Sequence, residues 1–246
     1  MLHQLVESAP FNFVPHLHDV EILNQQATQR RFRVTKLSFP AYFQFRDSYE
    51  LLDVGAALGY GCGPLLVARK PDLDLLEARI AVPGIHTTAN LLLRLWNPDI
   101  KNITVTRFDR ILPGIASGEF DAGVIIHEGR FIYPAYHCRK IIDLGEWWKV
   151  ETSLPIPLGC ISALKDPGTP GLKEDLERII RSSILYAFAN RDASREFVKA
   201  HAQELDNEVI DSHITLYVND FSLSLGDTGR QAIETLKKMA QCQKLL

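Results

Sequence analysis

The stretch GVIIHEGR, residues 123–130, ends an apolar run abruptly in His127, Glu128 and Arg130. Imidazole is the side chain most readily poised to take and return a proton near neutral pH. A strand that delivers it at its C-terminal end puts it where α/β sheets gather their ligand residues. Read alone, His127 fits two roles: a working acid/base, or a strand-end histidine that only satisfies local hydrogen bonds. Glu128 and Arg130 can pair with each other on a solvated rim, and Glu128 assists the histidine only if it turns into a cleft.

Two further stretches offer binding chemistry. In PGIHTTAN, a glycine turn leads to Thr87 and Thr88 at the start of an apolar helix. Free N–H groups, the positive end of the helix dipole and two hydroxyls together make a site for an anion. Simple helix capping would need only one of the threonines. In TKLSFP, Ser38 stands in the same place, at a strand end before a helix with Pro40 in its first turn. Two hydroxyl-capped helix starts suit a ligand carrying a carboxylate and sugar-like hydroxyls.

Other motifs carry less. Gly55, Gly59, Gly61 and Gly63 are followed by Pro64 and the β-like LLVA. A dinucleotide loop requires a helix there, so a tight turn between two strands is the better reading. His16 and His18 in HLHD lack a third ligand at metal-binding spacing, and Asp19 reads as the N-cap of the next helix. The sequence contains no G-x-S-x-G elbow and no H-E-x-x-H motif, which argues against a serine hydrolase or zinc protease.

The elements that must position these residues alternate between strand-like and helix-like, the pattern of an α/β fold with mostly parallel sheets. Helices are predicted in DVEILNQQATQRR, SFPAYFQFRDSY, ANLLLRLW and RILPGIASGEF. Strands are predicted in RVTKL, LLDVGAAL, GPLLVARK, RIAV, ITVTRF and DAGVII. The extended LPIPLGCISAL can carry the chain back to where it began. The last third is helical, with Leu176, Ile179, Ile180, Ile184 and Leu185 on one face and Asp192 as an N-cap. The expected organisation is a first lobe from residues 1–78 and 165–246 and a second from 79–164, with a ligand cleft between them.

Composition agrees with a cytoplasmic globular protein that binds small molecules. The chain has 246 residues, 46% hydrophobic and 23% charged, with a net charge of -3 and no long basic run. Nothing points to nucleic acid or to a membrane as partner. The four cysteines are scattered, as free thiols in a reducing compartment would be. The N-terminus does not read as a secretory signal.

Taken together, DVEILN, VTKLSF, GAALGYGCGPLLVA, AVPGIHTTA, FDRILPGIASGEFDAGVIIHEGRF, DLGEWW, LPIPLGC and YVNDFS resemble the 1,4-dihydroxy-6-naphthoate synthase family of the futalosine route to menaquinone. The resemblance covers nearly the whole chain in family order. It implies a periplasmic-binding-protein-like fold of two α/β lobes around a central cleft. It also implies a lyase that cleaves cyclic dehypoxanthinylfutalosine to 1,4-dihydroxy-6-naphthoate, with no metal and no organic cofactor. The family's proton acceptor corresponds to His127, and its substrate contacts to Lys36, Leu37, Ser38, Thr87 and Thr88, with Asn24 and Tyr217 as further cleft residues. Chorismate dehydratase, of the same fold, is the enzyme alternative, although IIHEGRF and GIHTTA favour the synthase. A solute-binding protein is the non-enzyme alternative. Family members open with a strand and a Cys-Pro-Asn-Asp-Thr-like loop ahead of a helix resembling MLHQLVE, where this sequence starts. The expectation is therefore a first-lobe sheet short of one strand, with an open edge and exposed apolar surface.

Overall fold

Asp19 opens the first helix as its sequence position predicts, its carboxylate accepting the N–H groups of Glu21 and Ile22 at 2.8 and 3.0 Å. The structure is a computed structural model that describes residues 8–246 apart from 10, 71, 167, 169, 170 and 202–206. MLHQLVE lies outside the described residues.

Helix α1 (Val20–Ala27) leads to strand β1 (Val34–Ser38) and helix α2 (Phe39–Phe45). The short strands β2 (Tyr49–Leu51) and β3 (Ala57–Gly59) come next, then β4 (Leu65–Ala68). A regular strand–helix alternation succeeds them: β5 (Ile80–Val82), α3 (Thr88–Trp96), β6 (Ile103–Val105), α4 (Phe108–Ser117) and β7 (Ala122–Ile125). The one-turn α5 (Gly129–Ile132), β8 (Arg139–Asp143) and α6 (Leu144–Thr152) precede the long β9 (Ile156–Leu164). Helices α7 (Leu172–Ala189), α8 (Arg195–His201), α9 (Asn207–Tyr217), α10 (Asp220–Leu223) and α11 (Gly226–Cys242) complete the chain.

These strands form two sheets. In the first, β9 lies between β1 and β2 and also pairs with β3; in the second, the order is β6-β5-β7-β4-β8. The expectation of mostly parallel sheets does not hold. Among the described residues, parallel pairing is confined to β5 with β6 and β5 with β7, and every pairing of β9 and β4 is antiparallel. The reason is topological. In the β5–β7 stretch, α3 and α4 return the chain over the sheet between strands of that same sheet, as parallel neighbours require. β4 and β9 each follow a strand of the other sheet, so no return over their own sheet fixes their direction.

β4 belongs to the second sheet and β9 to the first, so the chain crosses between Gly59 and Leu65 and again between Thr152 and Ile156. The glycine run thus joins two strands that belong to different sheets. Gly63 is needed there: a Cβ on it would lie 2.3 Å from the backbone of Gly145 in α6. β1 forms one edge of the first sheet.

One buried cluster joins the two sheets, with Leu37 and Cys160 from the first and Leu66, Ile80 and Val124 from the second, and two further clusters lie one on each sheet. Trp148 is fully buried, its indole N–H donating to the Pro155 carbonyl at 3.1 Å, so its polar atom carries no desolvation penalty. On α7, Leu176, Ile179 and Ile180 are buried as their spacing predicts, but Leu185 is exposed. Asp192 does not cap a helix; it lies in a 3-10 turn and its carboxylate accepts from Arg195 at 3.2 Å. No described helix is long and apolar enough to cross a membrane.

Candidate functional site

The alternation of β1 decides which part of TKLS faces outward. Successive side chains on a strand point to opposite faces. Thr35 and Leu37 are buried, while Lys36 and Ser38 line a cavity of about 1020 Å³. Thr87 and Thr88 line it from the start of α3, and His127 from beyond the end of β7. The described parts of both sheets therefore meet at one cavity.

His127 is carried there by its backbone. β7 ends at Ile125, and His127 adopts φ 53°, a left-handed conformation that is uncommon for a non-glycine residue. Its carbonyl accepts the Arg130 N–H at 3.3 Å, closing a turn that aims the ring off the strand. Phe108 stands edge-on, ring centroids 5.2 Å apart. Burial, then the nearby His213 and Lys36, push the imidazole down to about 3, so the ring is a neutral acceptor at physiological pH.

Lys36 brings a basic group to this wall from β1, and Arg107 also lines the cavity. Solvent reaches the Lys36 side chain through the cavity, yet the surrounding walls remove enough water to lower its ammonium from the ordinary value. Burial is the leading cause and outweighs the opposing influence of Cys160.

The two threonines divide their work. Thr87 caps α3, accepting the Asn90 N–H at 3.2 Å and donating to the Gly84 carbonyl at 2.7 Å. Thr88 donates to the Leu158 carbonyl at 2.6 Å, tying α3 to β9 of the first sheet. Ser38, by contrast, makes no side-chain cap for α2; its hydroxyl instead accepts from Asn24 at 3.1 Å. The expected pair of hydroxyl caps is thus one cap and one side chain held from behind.

Two expected contacts stand outside the cavity lining. Leu37 is fully buried in the core, on the opposite face of β1 from Lys36. Asn24 is also fully buried and anchors the turn before α3 as well as Ser38, donating to the His86 carbonyl at 3.5 Å. Tyr217 does line the cavity, with its phenol raised above the ordinary range chiefly by burial. Arg130 takes neither the rim nor a place in the cavity lining. Its guanidinium binds the Asp143 carboxylate and the Gly63 carbonyl, both at 2.6 Å. Asp143 also caps α6, so this buried pair joins the glycine crossing to β8 and α6. Glu128 lies in the cavity wall.

Sequence reasoning missed Glu21 and His213. The buried Glu21 carboxylate accepts the His86 N–H at 3.2 Å and an Asn24 N–H at 3.3 Å, which holds the turn before α3. His213 lies on α9 with its ring 5.9 Å from that of His127 and 4.6 Å from that of Tyr217. The only signal for it was its place one helical turn before Tyr217.

A family model described as menaquinone biosynthesis matches residues 1–242. The chain belongs to the menaquinone-biosynthesis family. A relative from Thermus thermophilus, 1,4-dihydroxy-6-naphtoate synthase, is 47% identical over 245 residues, spanning 100% of this chain and 89% of that protein. Among solved structures, protein AF1704 from Archaeoglobus fulgidus is 34% identical with a TM-score of 0.93, covering 100% of this chain and 91% of that one. The Candida albicans CA3427 gene product, described as having the generic periplasmic binding protein fold, superposes with a TM-score of 0.60 at 14% identity, covering 90% and 77%. That likeness speaks for the fold alone, and the fold of this family member is periplasmic-binding-protein-like, mixed α/β with two sheets. The expectation of fold and family from the sequence holds.

Proposed function

We propose that this family member is a carbon–carbon lyase that converts cyclic dehypoxanthinylfutalosine to 1,4-dihydroxy-6-naphthoate, with His127 as the proton acceptor. The observation that carries this reading is the gathering of His127, Lys36, Ser38 and the Thr87–Thr88 helix start around one cavity. Its assignment to this reaction rests on the identity with the Thermus thermophilus synthase.

In the proposed reaction the substrate carboxylate sits between the Lys36 ammonium and the start of α3, where cation and helix dipole favour an anion. Ser38 and Thr88 offer hydroxyl oxygens to the sugar-derived hydroxyls. His127 removes a hydroxyl proton, the O–H electrons form a new carbonyl, and the adjacent carbon–carbon bond breaks in a retro-aldol sense. Aromatisation of the new ring draws the reaction forward. The apolar walls position the labile bond against the imidazole and keep water from competing. The protein carries out this chemistry in the cytoplasm as an enzyme of a small molecule, without metal or organic cofactor.

Incubation of the protein with cyclic dehypoxanthinylfutalosine, following naphthoate absorbance, tests the reading directly. Product formation supports it, and absence of product from folded protein sinks it. His127→Asn separates the base from the binding site, with turnover expected to fall by about 100-fold or more. A wild-type rate in that variant removes His127 from the mechanism.

A further inference from the structure

His213 has a feature that the reaction as written leaves unused. Its Nε2 is buried and has no hydrogen-bond partner among the described residues. A buried polar atom without a partner costs free energy, and a side-chain rotation that brings it to a ligand in the adjoining cavity is one way to satisfy it. The residue lines the same cavity as His127, with ring centroids 5.9 Å apart, and Tyr217 supports its ring from one turn along α9. We propose that His213 is a second catalytic imidazole, donating an Nε2–H hydrogen bond to the substrate oxygen that becomes negative when His127 takes its proton. This inference rests on His127 acting as the base.

The step balances without any further reactant. His127 accepts the hydroxyl proton, the O–H electron pair forms the new C=O, and the breaking carbon–carbon bond sends its pair into the neighbouring carbonyl. That carbonyl oxygen becomes an enolate, held by the His213 N–H, and His213 itself loses no proton. His127 then returns its proton to the product. A donor aimed at the oxygen that gains charge lowers the barrier more than it tightens substrate binding.

A neutral imidazole serves as such a donor as long as it keeps its Nε2 proton. The groups facing His213 are Lys36 from β1, His127 from the turn after β7 and Tyr217 on its own helix, with Arg107 and Glu128 in the same cavity wall. Burial and the Lys36 charge push its imidazole down to about 4, so it remains uncharged at neutral pH.

The test uses the full chain with cyclic dehypoxanthinylfutalosine, comparing His213→Leu with His213→Gln, whose amide N–H reaches close to the Nε2 position. His213→Leu should lower kcat by about 100-fold, the scale of one lost oxyanion donor. KM should stay within about threefold, and His213→Gln should recover at least about tenfold of the rate. Because His213 depresses the His127 imidazole, the acid limb of kcat/KM should move to higher pH in His213→Gln. A His213→Leu kcat within about threefold of the starting protein overturns the inference. So does a loss that His213→Gln leaves uncorrected. An inactive His127→Asn beside a fully active His213→Leu defeats this inference alone, whereas a fully active His127→Asn defeats the base assignment and this one with it.

Discussion

The Asn24 side chain brackets Ser38: its carbonyl oxygen accepts the Ser38 N–H at 3.0 Å while its NH2 group donates to the Ser38 hydroxyl at 3.1 Å. Both residues are buried, so nothing in solvent replaces these bonds. Asn24→Leu, close in volume, strands two polar groups and is expected to cost about 2–4 kcal/mol. Urea unfolding at constant m-value reads this loss. KM should rise more than kcat falls, because Ser38 loses its orientation rather than its chemistry.

The turn before α3 leaves no room at Gly84. A Cβ there would lie 2.4 Å from the Glu21 carboxylate, which itself holds the His86 N–H. Gly84→Ala should destabilise by about 1–3 kcal/mol, the range for overpacking. Thermal melts give the stability change. Weakened product binding in the same variant shows that the displaced carboxylate has moved the Thr87–Thr88 turn.

Arg130 and Asp143 form a largely buried ion pair, their side chains 17% and 6% exposed. Removing one partner strands the other charge, so Arg130→Met should cost about 3 kcal/mol or more. The double variant Arg130→Met with Asp143→Asn should recover part of that loss. Equal stabilities for the single and double variants in urea would contradict the pairing argument.

The histidines link stability to pH with a definite sign. His127 falls from 6.5 to about 3 and His213 from 6.5 to about 4 on folding. As pH drops below 6.5 the unfolded chain binds protons that the folded chain refuses, so stability falls, and it continues to fall until the folded-state values are reached. Urea midpoints at pH 7 and pH 5 should therefore differ by roughly the amount this linkage gives, and His127→Asn should shrink the difference. For activity, the free protein's kcat/KM should hold well below the ordinary histidine range, because His127 loses its neutral form only near its lowered value.

Lys36 sets part of that lowering, since its positive charge disfavours the imidazolium of both histidines. Lys36→Met should move the acid limb of kcat/KM upward in pH. Loss of the charge-assisted bond to a substrate carboxylate should raise KM by about 10–100-fold. A pH profile identical to that of the starting protein would show that Lys36 does not reach the histidines.

Fold class and family were legible in the chain, as were His127, Ser38, Thr87 and Thr88 as candidate cleft residues, while Lys36 and Tyr217 came from the family resemblance. Local rules carried much of this. A hydroxyl before an apolar helix marks Thr87 and a polar break after an apolar strand marks His127, whereas the family resemblance pointed to Lys36 and Tyr217 and took Leu37 with them, although strand alternation turns Leu37 into the core. What the chain hid depends on long-range placement. The direction of β4 and β9 comes from crossings between sheets, which periodicity does not encode. Asn24 faces the buried back of Ser38 because α1 packs on β1. His213 sits on an ordinary-looking amphipathic helix, and only the packing of α9 beside β3 and the turn that holds His127 brings two imidazoles together and lets burial and Lys36 keep both uncharged. Sequence by itself determined which chemical groups are present and which local element each begins or ends. Tertiary structure decided which of them share one desolvated space, because desolvation and charge act through distances that the order of residues does not contain.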